Sequence, residues 1–140
     1  MQLSFSFFAV LSLSGLVASI PTPQGAPPID ITATQTGQGT FYTPGLGACG
    51  VTNTESDLIV AISQSLFQTF PGFNGGNPNA NPVCGKTITA NFQGKSVTVT
   101  VTDVCEGCAA TDLDFSPAAF DELADPSVGR ISGMTWSFNN

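Results

Sequence analysis

The chain has 140 residues and a formal net charge of −7, from ten acidic and three basic side chains. This length corresponds to a single domain. So few Lys and Arg residues exclude the clustered positive charge that nucleic acids and anionic membrane surfaces need, and we expect neither as a partner. The chain contains no histidine, which excludes Ser–His and Cys–His catalytic pairs and the commonest zinc ligand.

An apolar run, MQLSFSFFAVLSLSGLVASI, opens the sequence and ends in small residues. It is too short and too often interrupted by Ser to span a bilayer, and its position is typical of a secretory signal. We predict a signal peptide over residues 1–19, a linker or pro-segment rich in Pro and Thr over 20–36 and a folded domain over 37–140. The mature protein is expected to be extracellular and monomeric.

The clearest secondary-structure signal is a β-hairpin. Residues 86–92 alternate apolar and polar side chains, and so does the Val-Thr repeat over residues 97–102. Gln93-Gly94-Lys95 supplies a turn between them. This alternation is typical of half-buried antiparallel strands.

Shorter segments predict the remaining strands and helices. Residues 37–45 predict a first strand with Phe41 inward and Thr40 and Tyr42 on the other face, and residues 57–70 predict a strand followed by a helical turn. A short helix over 117–124, capped by Ser116, and a last strand over 130–138 complete the pattern. Many short strands with one helix indicate an all-β barrel or sandwich.

Four cysteines in a secreted chain of this size indicate two disulfides, which allow three connectivities. We favour Cys49–Cys84, which closes a long loop, and Cys105–Cys108, which fixes a turn. A zinc site normally needs two CxxC pairs and the chain has one. A CxxC redox motif usually opens a helix in a βαβ unit, which the pattern lacks.

Asp103, Asp112 and Asp114 surround the Cys105–Cys108 turn and are the candidates for acid–base or binding chemistry. Neighbouring carboxylates raise one another's proton affinity, so that one can serve as an acid while the other stays a base. The alternative is that Asp103 and Asp112 cap turns through backbone N–H groups. No metal site and no cofactor are expected.

Three segments carry a family resemblance: TFYTPGLGACG, VCGKTITANFQGKSVTVTVTDVCEGC and DLDFSPAAFDELA…GRISGMTW. Together they resemble the double-psi β-barrel of the expansin, barwin and RlpA-like superfamily, in its small secreted fungal form. The resemblance covers about residues 37–138. It implies a six-stranded barrel with one or two short helices and a surface groove that holds a polysaccharide in several relatives.

The resemblance also assigns residues to that groove. Asp114 matches the Asp that expansin-like proteins need for wall loosening, Asp103 a groove Asp, and Thr40 a groove Thr. Asp112 replaces the His of the plant HFD pattern, and similarity to barwin supports Cys49–Cys84. Family 45 endoglucanases use a second Asp early in the domain, but TFYTPGLGACG has no carboxylate; the His of lytic transglycosylases is also missing.

These observations lead to three functional hypotheses. The first is non-hydrolytic binding of a cell-wall polysaccharide in a groove formed by Thr40, Tyr42, Asp103, Asp112 and Asp114. The second is protein binding, as a protease inhibitor or host-interaction effector, through a loop over residues 73–81. The third is weak glycan cleavage with Asp114 as the acid.

Overall fold

The structure is a computed structural model that describes Gly15 and residues 27–139. The predicted signal peptide, apart from Gly15, and the predicted linker up to residue 26 lie outside the described residues. The elements in chain order are β1 (Gln35–Phe41), β2 (Ile59–Ser63), α1 (Gln64–Thr69), β3 (Thr87–Phe92), β4 (Lys95–Cys105), β5 (Leu113–Phe115), α2 (Pro117–Asp121) and β6 (Ile131–Phe138), with single 3₁₀ turns at Pro78–Ala80 and Pro126–Val128.

The six strands form a closed barrel in the order β1-β5-β2-β4-β3-β6. The pairs β1/β5 and β2/β4 are parallel, and the other four are antiparallel. Closure leaves no free sheet edge within the barrel. The predicted all-β, six-stranded barrel is therefore confirmed.

The alternating pattern of β4 determines which side chains form the core. Val97, Val99 and Val101 are buried while Thr98 is exposed. Trp136 from β6 is also buried, and its Nε1 donates to the Thr111 carbonyl over 2.8 Å. The predicted hairpin is confirmed: Gln93 and Gly94 both have positive φ, as a two-residue type I′ turn requires.

Both predicted disulfides are present. Cys49–Cys84 ties the loop after β1 to the segment before β3, at a sequence separation of 35. Cys105–Cys108 closes the turn at the end of β4. A domain of this size has only a modest hydrophobic core, and the two disulfides add to its stability.

Sequence analysis predicted that Phe41 faces the inside of the barrel, and this prediction is wrong. Its side chain is 36% exposed, and its ring packs against Phe120 of α2 with centroids 4.8 Å apart. Phe41 is the last residue of β1, so the helix covers only part of the ring. β1 also begins at Gln35, two residues earlier than predicted.

The region after β4 differs from the prediction in two ways. Residues 113–115 form the short strand β5, which sequence analysis did not identify because three residues give too short an alternation. The helix α2 starts after its Ser116 cap as predicted, but ends at Asp121 rather than residue 124. Its last turn tightens, with the Leu123 amide donating to the Phe120 carbonyl over 2.9 Å.

Candidate functional site

Three of the five predicted groove residues, Thr40, Asp103 and Asp114, come together because three strand pairings place them in one row. Thr40 of β1 pairs with Asp114 of β5, Asp114 pairs with Ala61 of β2, and Ala61 pairs with Asp103 of β4. Directly opposite residues in a sheet project to the same side. Neighbouring strands lie about 4.8 Å apart, so the Cα atoms of Asp103 and Asp114 are separated by about 10 Å across β2.

A register shift in the β2/β4 pair brings Asp103 into this row. Val60 pairs with Val101, but the next residue, Ala61, pairs with Asp103, so that Thr102 is passed over. Extra residues of this kind re-aim side chains and are common next to functional sites. With a regular register, Thr102 would stand opposite Ala61 and the carboxylate would project to the other side.

Asp114 is half-buried, and the Thr40 hydroxyl donates to its Oδ1 over 2.9 Å. Burial raises the pKa of Asp114, and the nearby charge of Asp103 acts in the same direction. The hydrogen bond from Thr40 and the positive charge of Arg130 oppose that rise in pKa. Asp114 is therefore the carboxyl group of the row that is best suited to hold a proton.

Asp103 is held by three donors. Its Oδ1 accepts from the backbone amides of Ala48, over 2.9 Å, and Val104, over 2.8 Å. Its Oδ2 accepts from the Tyr42 hydroxyl over 3.1 Å. Since a carboxylate has about four acceptor positions, few positions of Asp103 are left for a ligand.

Tyr42 lies directly after β1 and is half-buried beside Asp103. Burial raises the pKa of the Tyr42 phenol, and the negative charge of Asp103 and the hydrogen bond to it raise the pKa further. The hydroxyl therefore stays protonated at neutral pH. It acts as a donor that orients the Asp103 carboxylate.

Both carboxylate oxygens of Asp112 accept hydrogen bonds from the backbone. Oδ1 accepts from the Gln38 amide over 3.0 Å, and Oδ2 accepts from the Ala109 amide over 3.2 Å. These bonds join the turn after β4 to β1. Asp112 thus braces the loop beside the row, as in the turn-capping alternative, while also lining the cavity next to Asp114.

A cavity of about 270 Å³ adjoins Asp114 and includes Thr40, Asp112, Arg130 and the Cys105–Cys108 disulfide among its lining residues. Sequence analysis missed Arg130, whose Nη1 donates to the Gln38 Oε1 over 2.7 Å. The only feature of the sequence that could have pointed to Arg130 is that it is one of three basic residues in the chain. A larger cavity of about 530 Å³ lies elsewhere, near Ile31, Phe70 and Phe138.

The fold and the match to a family model identify the class of protein. The family model described as lytic transglycolase, of the double-psi β-barrel type, matches residues 34–134. The chain belongs to this double-psi β-barrel family, as the sequence motifs predicted.

Two relatives within this superfamily are similar to the chain in sequence. It is 35% identical to a papain inhibitor of Streptomyces mobaraensis over 94% of this chain and 91% of the inhibitor. It is 40% identical to the allergen Asp f 7 of Aspergillus fumigatus over 74% of this chain and 36% of the allergen. The chain thus spans about a third of the allergen's length.

Solved structures agree with this assignment. The Streptomyces papain inhibitor superposes with a TM-score of 0.70 at 37% identity, over 80% of this chain and 99% of the inhibitor. A mutant expansin of Clavibacter michiganensis in complex with cellohexaose superposes with a TM-score of 0.60 at 24% identity, over 77% of this chain and 51% of the expansin. The expansin shares the fold.

The helices among residues 27–139 are all too short to cross a membrane.

Proposed function

We propose that this protein is secreted and binds a neutral cell-wall polysaccharide along the row formed by Thr40, Asp114, Ala61 and Asp103, without hydrolysing it. The single observation that carries the proposal is the row itself, which aligns two half-buried carboxyl groups on either side of a small residue. Sugar hydroxyls donate well to carboxylates, and Asp114 accepts a side-chain hydrogen bond only from Thr40 among the described residues, so acceptor positions remain for a sugar hydroxyl.

The hydrogen bonds of Asp103 support binding over hydrolysis. Inverting hydrolysis needs one carboxylic acid and a second carboxylate that is free to activate water. Burial raises the pKa of Asp114, but Asp103 already accepts from Ala48, Val104 and Tyr42. Secretion is supported by the two disulfides, which persist in oxidising compartments.

The test is a pull-down with the full chain, expressed with its own leader in a secreting host. The protein is mixed with insoluble cellulose, chitin and β-glucan, and released sugar is assayed in the supernatant. We expect retention without sugar release, and a large loss of retention in Asp114→Asn. Asp121→Asn is the matched control, because Asp121 is exposed on α2. Equal retention of both variants would refute the assignment of the groove.

A second candidate function is inhibition of a cysteine protease. The specific observation in its favour is the match to the papain inhibitor, which extends over nearly the whole of both chains. Inhibition of a protease does not require glycan binding, so failure of the pull-down would leave this candidate function standing.

A further inference from the structure

Residues 45–53, here called the Leu46 loop, form a neutral loop between β1 and β2. A single antiparallel bridge between Leu46 and Thr52 joins the two ends of the loop. Two hydrogen bonds flank that bridge: the Gly47 amide donates to the Val51 carbonyl over 2.9 Å, and the Asn53 amide donates to the Gly45 carbonyl over 3.0 Å.

The Leu46 loop is also fixed to the barrel. The Ala48 amide donates to Asp103 Oδ1 over 2.9 Å, and the Cys49 amide donates to the Thr102 carbonyl over 3.1 Å. The Cys49–Cys84 disulfide adds a covalent anchor. At Gly47 a Cβ would lie 2.4 Å from the Thr102 carbonyl oxygen, so only glycine allows this close approach. The loop therefore has a defined conformation before any partner arrives.

This fixed loop presents an apolar side chain to water. Leu46 is 75% exposed, the highest value among the exposed large hydrophobic residues of the described chain. In a non-hydrogen-bonded antiparallel pair, the N–H and C=O groups point away from the opposite strand. The N–H and C=O of Leu46 accordingly point away from Thr52, and neither bonds to another described residue.

A rigid loop with an exposed Leu and unpaired main-chain groups suits a protein partner. Residues 45–51 carry no polar and no aromatic side chain, so their side chains offer a sugar neither hydrogen-bonding groups nor a stacking face. A branched aliphatic side chain fits an apolar pocket, and free N–H and C=O groups can pair with an extended segment of the partner. Since the loop is ordered beforehand, binding costs little conformational entropy.

We infer that the Leu46 loop is the surface that docks into the substrate cleft of a papain-class cysteine protease, with the Leu46 side chain in an apolar specificity pocket. The inference rests on the second candidate function and adds the surface and the anchor residue. The acidic residues Glu55 and Asp57, which follow the loop in sequence, favour a partner with positive charge around its cleft.

The loop over residues 73–81, expected from sequence as the protein-binding surface, is less suitable. Its one large apolar side chain, Phe73, packs edge-on against Phe67 with ring centroids 5.8 Å apart and contributes to the edge of the core. The Leu46 side chain instead remains exposed.

The test is inhibition of purified papain by the full secreted chain, titrated as wild type, Leu46→Ser and Val128→Ser. Val128 is the matched control, because it is 57% exposed on the 3₁₀ turn after α2. We expect Leu46→Ser to raise the inhibition constant at least about tenfold and Val128→Ser to change it less than about twofold. The fluorescence of Trp136 and a thiol assay check that each variant is folded and oxidised.

The possible results separate this inference from the inhibitor function on which it rests. Inhibition by wild type that is unchanged in Leu46→Ser would overturn the surface while keeping the inhibitor function. No inhibition of papain by wild type would overturn both. Slower hydrogen exchange of the Leu46 amide in the papain complex would support the docking, and unaltered cellulose retention of Leu46→Ser would show that the loop and the groove act separately.

Discussion

Asp103 and Asp114 are both register partners of Ala61, one from each neighbouring strand, so the two carboxyl groups face each other across the width of β2. Their surroundings differ. Asp103 accepts two backbone amides and a phenol, whereas Asp114 accepts one hydroxyl and has a pKa raised by burial. One carboxyl group is thus part of the scaffold, and the other is available to a ligand.

The raised pKa of Asp114 makes stability depend on pH. The folded state holds this proton to a higher pH than the unfolded chain, so the contribution of Asp114 is most favourable below the unfolded pKa and is lost as pH rises through the folded pKa. Asp114→Asn removes that dependence. We expect its free energy of unfolding, relative to wild type, to increase between pH 3 and pH 7.

Urea denaturation at several pH values, monitored by Trp136 fluorescence, measures this difference. Asp121→Asn serves as the control for an exposed carboxylate. A relative stability of Asp114→Asn that stays constant or falls over this pH range would contradict the burial of Asp114.

Tyr42 can be titrated directly because it is the only tyrosine in the chain. We expect its phenol to ionise well above the ordinary range for tyrosine, since burial and the Asp103 charge both disfavour phenolate. Asp103→Asn should lower the pKa of Tyr42 but leave it above that of a free tyrosine, because burial remains. Absorbance of phenolate against pH measures both values, and equal curves for the two proteins would exclude the hydrogen bond.

Thr40→Val tests the hydrogen bond to Asp114, since valine keeps the shape and removes the donor. The loss should raise the pKa of Asp114 further and destabilise the fold by about 1 kcal/mol. NMR titration of the Asp114 carboxyl carbon and urea denaturation measure the two effects. Thr36→Val, at an exposed position of the same strand, should leave the pKa of Asp114 unchanged.

The two disulfides should differ in their effect on stability. Closing the longer loop, with a separation of 35 residues, restricts the unfolded chain more than closing one with a separation of 3. Loop entropy predicts a loss of about 4 kcal/mol for Cys49→Ser/Cys84→Ser and about 2 kcal/mol for Cys105→Ser/Cys108→Ser. Urea denaturation of both double variants checks which one loses more stability. A larger loss for Cys105→Ser/Cys108→Ser would show that the turn after β4 stabilises the native state by other means.

The periodicity of the sequence determined most of the strands. The Val-Thr alternation of β4 and the Gln93-Gly94 turn specify the β3–β4 hairpin through local rules alone, because side-chain direction alternates with each residue and the turn type follows from φ. The proximity of Cys105 and Cys108 in sequence, together with the resemblance to barwin for Cys49–Cys84, led to the correct disulfides. The motif around Asp114 predicted the barrel and its strand number through family resemblance.

The site itself was decided by tertiary structure. The position of Asp103 beside Ala61 depends on the register shift at Thr102. One of the two amides that donate to Asp103 belongs to Ala48, 55 residues earlier, and Arg130 reaches the cavity from the segment before β6. None of these follows from local sequence. Register and loop docking are set by packing between segments that are distant in the chain, and a shift of one residue reverses the face on which a carboxylate lies.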